Sequence, residues 1–167
     1  MNQHILEKVQ IVSGIVPVNL ATGANNGDFV SMKNFGRCAV VLFKGVGGAA
    51  ESPTLVLEQA TVVAGSDAKP LQFTRVDSIA SPTLTSLGVF TTVSQVAANS
   101  YSAAALALSQ AIVVIDVQAE DLDSDNGFDC LRLTVADVGT TSQIGGALYL
   151  MHEPRYASAT LPSAIVD

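Results

Sequence analysis

The segment DLDSDNGFDC at 121–130 sets Asp121, Asp123, Asp125 and Asp129 around an Asn-Gly pair. Only 14% of the chain is charged, so this is its densest group of ligand oxygens. Alternating carboxylates suit a hard cation such as calcium, and Asp121, Asp123 and Asp125 are the candidate side-chain ligands. A helix-loop-helix calcium site wants acids at its first, third and fifth positions, glycine at the sixth and glutamate at the twelfth. Counted from Asp121, the sixth residue is Asn126 and the twelfth is Arg132, and no helical pattern flanks the loop. An alternative is the tight turn of a hairpin joining AIVVIDV to CLRLTV, with Asn126-Gly127 at the positive-φ positions. Both readings stand at this point, the turn fitting better.

Other chemistry finds fewer parts. A serine nucleophile needs a base, and the only histidines are His4 and His152; no GxSxG elbow occurs. Converging His and Cys ligands for a catalytic metal are too few. GVGG at 45–48 lacks the following helix and the Lys-Ser/Thr of a phosphate loop, and reads as a flexible turn. Glu58, Asp116 and Glu120 could form a carboxylate pair, yet no spacing favours any two of them. The expectation is a protein that is not an enzyme, with no cofactor unless the acidic loop takes calcium.

The elements that would carry these residues are short and β-type. RCAVVLFK (37–44) is an unbroken apolar run of strand length and the surest central strand, while TLVLEQATV (54–62) alternates as a half-buried strand should. Further strands are expected at 5–12, ended by Gly14 and Pro17, and at 71–76, 87–96, 111–119, 130–138 and 147–153. Residues 99–110 (NSYSAAALALSQ) suit a helix by composition, but a strand running into AIVVIDVQA is preferred. Turn signals roughly every 8 to 15 residues and no sustained helical period indicate an all-β chain. It is either an antiparallel β-sandwich or a jelly-roll-like barrel with extended terminal arms.

At 167 residues the chain is long enough for one domain that buries roughly 70% of its unfolded surface. Residues 1–153 are assigned to a single β-sandwich domain. The proline-bearing, small-residue stretch 154–167 is assigned to an extended C-terminal arm. Cys38 and Cys130 lie in or beside apolar runs and are expected as buried thiols. A net charge of −7, with eight scattered Lys and Arg, lacks the basic footprint of a nucleic-acid binder. The longest apolar runs fall far short of the ~20 residues that cross a bilayer, so no membrane partner is expected. MNQHILEKVQIVSG lacks the pattern of a signal peptide, and the protein is expected to be soluble.

The ordered phrases PVNLATGANNGDFVSMKNF, AVVLFKGVG, PTLVLEQAT, IVVIDVQAEDLDSDNGF, LRLTVADVG and LYLMHEPRY, spread over residues 10–156, resemble small structural proteins of tailed bacteriophages encoded with the head genes. The resemblance implies capsid decoration or cementing. The partners would be the major capsid protein and the chain itself, as dimer or trimer. Its place would be the virion exterior, after synthesis in the host cytoplasm. No catalytic residue is implied. In that role Tyr156, Leu161, Ile165 and Val166 are expected to dock on a neighbouring subunit or on the shell, with Arg155 as a charged anchor; the alternative is a disordered tail. A tail or head-tail connector component is a second structural reading. A calcium-dependent carbohydrate-binding sandwich is a third, disfavoured by the absence of Trp and only three Tyr for stacking sugar rings.

Overall fold

The structure, a computed structural model, describes residues 4–83, 88–156 and 160–166. Its strands in chain order are β1 (Val9–Asn19), β2 (Asn25–Asn26), β3 (Val30–Ser31), β4 (Phe35–Lys44), β5 (Leu55–Ala60) and β6 (Lys69–Pro70). They continue as β7 (Phe73–Ser81), β8 (Thr91–Ala98), β9 (Ser100–Tyr101), β10 (Gln110–Gln118), β11 (Cys130–Val135) and β12 (Ile144–Pro154). The first sheet has the order β1-β12-β4-β10-β7-β8. The second runs β2-β11-β5-β6, with β3 also on β11 and β9 also on β5. Neighbours pair antiparallel, and neither sheet closes on itself. The all-β sandwich expected from the sequence is therefore present, and the barrel alternative is not.

Alternation explains the core. Cys38, Val40 and Leu42 of β4, Val113, Ile115 and Val117 of β10, and Tyr149 and Met151 of β12 point inward. They meet Leu55 and Leu57 of β5 and Leu131, Leu133 and Val135 of β11. Sheet-on-sheet packing buries these rows and leaves the intervening residues to face outward. RCAVVLFK lies at the middle of its sheet, between β12 and β10, as expected. Both cysteines are buried and neither forms a disulfide.

Three local expectations are corrected. The first strand does not stop at Gly14 and Pro17: a 3-10 turn covers Ile5–Glu7, and β1 then continues to Asn19 through register shifts on either side of Ile15. Being an edge strand, β1 tolerates a proline that cannot donate to the ladder. Gly14 is required by packing, because a Cβ there would sit 2.8 Å from the Tyr149 ring. Residues 99–110 are not one strand. They form the two-residue β9, a 3-10 turn at Ala104–Leu106 and the first residue of β10.

The third correction concerns the acidic segment. β10 lies in the first sheet and β11 in the second, so 121–130 crosses between sheets and is not a hairpin. A 3-10 turn at Ser124–Asn126 is ended by Gly127, whose φ of 81° only glycine adopts freely. Among the described non-glycine residues only Ala50 and Glu153 have positive φ, so Asn126 does not take the hairpin conformation expected of it.

Candidate protein-interaction surface

The outward rows of four adjacent strands of the first sheet are unusual for a sandwich because they are largely apolar. On β4 they are Ala39, Val41 and Phe43, and on β10 Ile112 and Val114, with Phe43 directly opposite Ile112 and Val41 opposite Val114. On β12 they are Ile144, Leu148 and Leu150, with Leu148 opposite Val41 and Leu150 opposite Ala39. Ile11 of β1 extends the row opposite Leu150. Phe43 is 57% exposed, Ile144 55% and Leu148 45%. A face with one apolar side chain after another across four adjacent strands is the kind of patch that marks a docking site.

Gly146 shapes this face. It lies opposite Phe43, and a Cβ there would come within 2.9 Å of the Ile15 carbonyl oxygen. Without a side chain the position opens an apolar groove of about 450 Å³ between Ser13, Ile15, Pro17, Phe43, Ile144 and Leu148. Charge gathers at the opposite end. Arg37 pairs with Asp116, His152 Nε2 stands 3.8 Å from the other oxygen of that carboxylate, and Arg75 Nε donates to Asp77 at 3.0 Å. An apolar centre with a charged margin is the layout of a protein interface. The outer face of the second sheet is polar by contrast: Arg132 Nε donates to Glu58 at 2.7 Å, with Thr134 Oγ1 beside it at 3.4 Å.

The three aspartates proposed for calcium have different surroundings. The Asp121 carboxylate accepts the Gln118 N–H at 2.8 Å. Asp123 pairs with Lys69 and accepts Asn126 Nδ2 at 2.8 and 3.0 Å, while its own N–H donates to Gln59 Oε1 at 2.8 Å. Lys69, then Asn126, holds the Asp123 carboxyl below the usual range, and the Lys69 ammonium also lies 3.6 Å from the centre of the Phe128 ring. Asp125 is exposed on the 3-10 turn. Among the described residues no three His, Cys, Asp or Glu side chains are grouped to hold a metal ion.

The arm residues divide as well. Ala164 belongs to the main core and its carbonyl accepts the Ser31 N–H at 2.7 Å, so the arm is tied to β3. Leu161 is half-buried against that same core, facing its own domain. Arg155, Tyr156, Ile165 and Val166 are exposed, and the Arg155 N–H donates to the Asn34 carbonyl at 2.9 Å.

The candidate catalytic carboxylates are not brought together: Glu58 lies on the outer face of one sheet and Asp116 on that of the other. Nor is the glycine loop an open cradle. A Cβ on Gly47 would strike Gln143, and one on Gly48 would lie 2.3 Å from a Glu51 oxygen, so these glycines permit close packing. The aliphatic face was missed in reading the sequence, although a signal existed. In a sandwich open to water on one side, strands alternate, whereas AVVLF and AIVVI do not. No helix among the described residues is long and apolar enough to cross a membrane. The chain matches no protein-family model, no curated protein and no solved structure.

Proposed function

We propose that the protein is a viral structural protein, a head decoration or cement protein that binds the outside of the major capsid shell of a tailed bacteriophage. The observation that carries this reading is the aliphatic outer face of the first sheet. Burying such a surface releases about 25 cal/mol per Å² of apolar area, so a shell that covers it gains stability without any chemical step. Because the contact exists only on the assembled particle, it favours assembly over dissociation by mass action. Tyr156, Ile165 and Val166 of the arm offer further exposed apolar side chains for contact, and Arg155 a charge.

In this reading the acidic crossover is a structural link, with Asp123 fixed by Lys69, and no metal is needed for binding. Heating undecorated expanded heads with and without the protein tests the proposal. Saturating protein raises the temperature at which the heads rupture. A rupture temperature unchanged by the protein overturns the cement role, and binding confined to isolated tails assigns the chain to the tail or connector.

A further inference from the structure

The two sheets expose their strand edges unequally. β1 closes one side of the first sheet, and its two register shifts and Pro17 spoil it as a template for pairing. The outer strands of the second sheet, β2, β3, β6 and β9, have two residues each, too short to recruit a partner. β8 is different. It closes the other side of the first sheet with eight residues, TTVSQVAA, and among the described residues it pairs only with β7, in regular register over Thr91–Ser94 and with one register shift between Ser94 and Ala98. It contains no proline and no charge, and both of its faces are largely open, Val96 being 90% exposed and the preceding Val89 88%.

Along Thr91–Ser94, where its pairing with β7 is regular, this edge displays backbone donors and acceptors with neither a proline nor a charge to guard it. We infer that β8 is a pairing strand and that its partner is β8 of a second copy, running antiparallel across a two-fold axis, so that the first sheets of two molecules join into one. Charge selects that partner. The whole chain carries −7, which sets copies against each other, yet residues 78–115 include no Asp, Glu, Lys, Arg or His. Two copies meeting at β8 therefore bring together the neutral stretch of each, whereas most other faces would oppose like charges. A strand paired with itself is also the self-complementary contact that two-fold symmetry requires. The pairing leaves the aliphatic face of the sheet free and does not depend on the capsid reading.

Sedimentation of the full chain over a range of micromolar concentrations, together with the doubly substituted variant Ser94→Lys/Val96→Lys, tests the inference. Both positions are exposed in one copy, so the melting temperature of the variant reports whether the fold is intact. The unsubstituted chain sediments as a dimer, with amide exchange in 91–98 slowed as concentration rises. The variant sediments as a monomer with fast exchange there. A monomeric unsubstituted chain overturns the inference, as does a dimer that survives both lysines. Protection of 91–98 that requires added capsids also overturns it, and identifies the shell as the partner of this edge. Should the double variant fail to fold, Val96→Lys alone gives the same discrimination.

Discussion

The Tyr149 hydroxyl, carried by β12 of the first sheet, accepts the Leu133 N–H of β11 in the second at 2.8 Å. The bond fills an interruption in the ladder. β11 pairs with β3 at Cys130 and Leu131 and with β2 at Thr134 and Val135, and between them the chain at 27–29 swings away. Gly27 N–H still reaches the Leu133 carbonyl at 2.9 Å, but the Leu133 N–H is met by the tyrosine. Gly14 and Gly27 make room for it, since a Cβ on either would come within 2.8 Å of the Tyr149 side chain. The sandwich is thus pinned through its core by one buried phenol.

Tyr149→Phe keeps the ring and strands the donor. Leaving a buried N–H without a partner costs about 1–3 kcal/mol, so chemical denaturation should show a loss of that size with an unchanged denaturant slope. An unaltered midpoint would mean that the Leu133 N–H finds another acceptor.

Lys44 offers a readout in pH. Its side chain is buried, and its ammonium donates to the Leu106 carbonyl and, at 2.7 Å, to that of Ser109; among the described residues no carboxylate pairs with it. Burial pushes its pKa down from 10.5 to about 8. Between those values the unfolded chain holds a proton that the folded chain has released, so folding stability gained from this group rises with pH across that window and is flat below it. The gain is on the order of 3 kcal/mol. Cys38 and Tyr149, both raised by burial, act in the opposite sense at high pH, because only the unfolded chain ionises them readily. Comparison with Lys44→Met removes their contribution, and the stability of the native chain relative to that variant should climb from about pH 8 upward.

The acidic crossover yields a prediction about calcium. Asp123 is engaged by Lys69 and Asn126, and Asp121 by the Gln118 backbone, so calcium at millimolar concentration should leave the melting temperature unchanged. An upward shift that saturates, and that Asp125→Asn abolishes, would establish a site. Acid should loosen the crossover. The carboxyl of Asp123 lies below its ordinary range, so its contribution is present above the unfolded value of 3.8 and is lost as pH falls through the folded one.

Much of the sandwich could be read from the sequence because β4, β5 and β11 alternate or run apolar at strand length. What could not be read depends on tertiary pairing. Asn126-Gly127 is a strong local hairpin signal, yet the strands it joins belong to different sheets, and only Gly127 uses its freedom in φ. Pro17 signals an end only in a strand whose N–H groups are all needed, and the edge position of β1 cancels that need. The aliphatic face was written in residues 39–43 and 111–115, but a run apolar on both sides reads as deep burial until the layer that should cover it is found missing. Leu161 was indistinguishable from an exposed anchor because nothing local marks which apolar residue of an arm turns back to the core.

The central claim is that the outer face of the first sheet binds a capsid shell, and its most direct measurement is the copy number of protein on expanded, undecorated heads, for the native chain and for Phe43→Glu/Leu148→Glu. Both substituted side chains are exposed, so the variant should melt close to the native protein. The account predicts saturable, stoichiometric occupancy for the native chain and at least a tenfold loss of affinity for the variant, the equivalent of about 1.4 kcal/mol or more. Heads that stay bare, or that bind both proteins equally, would contradict it.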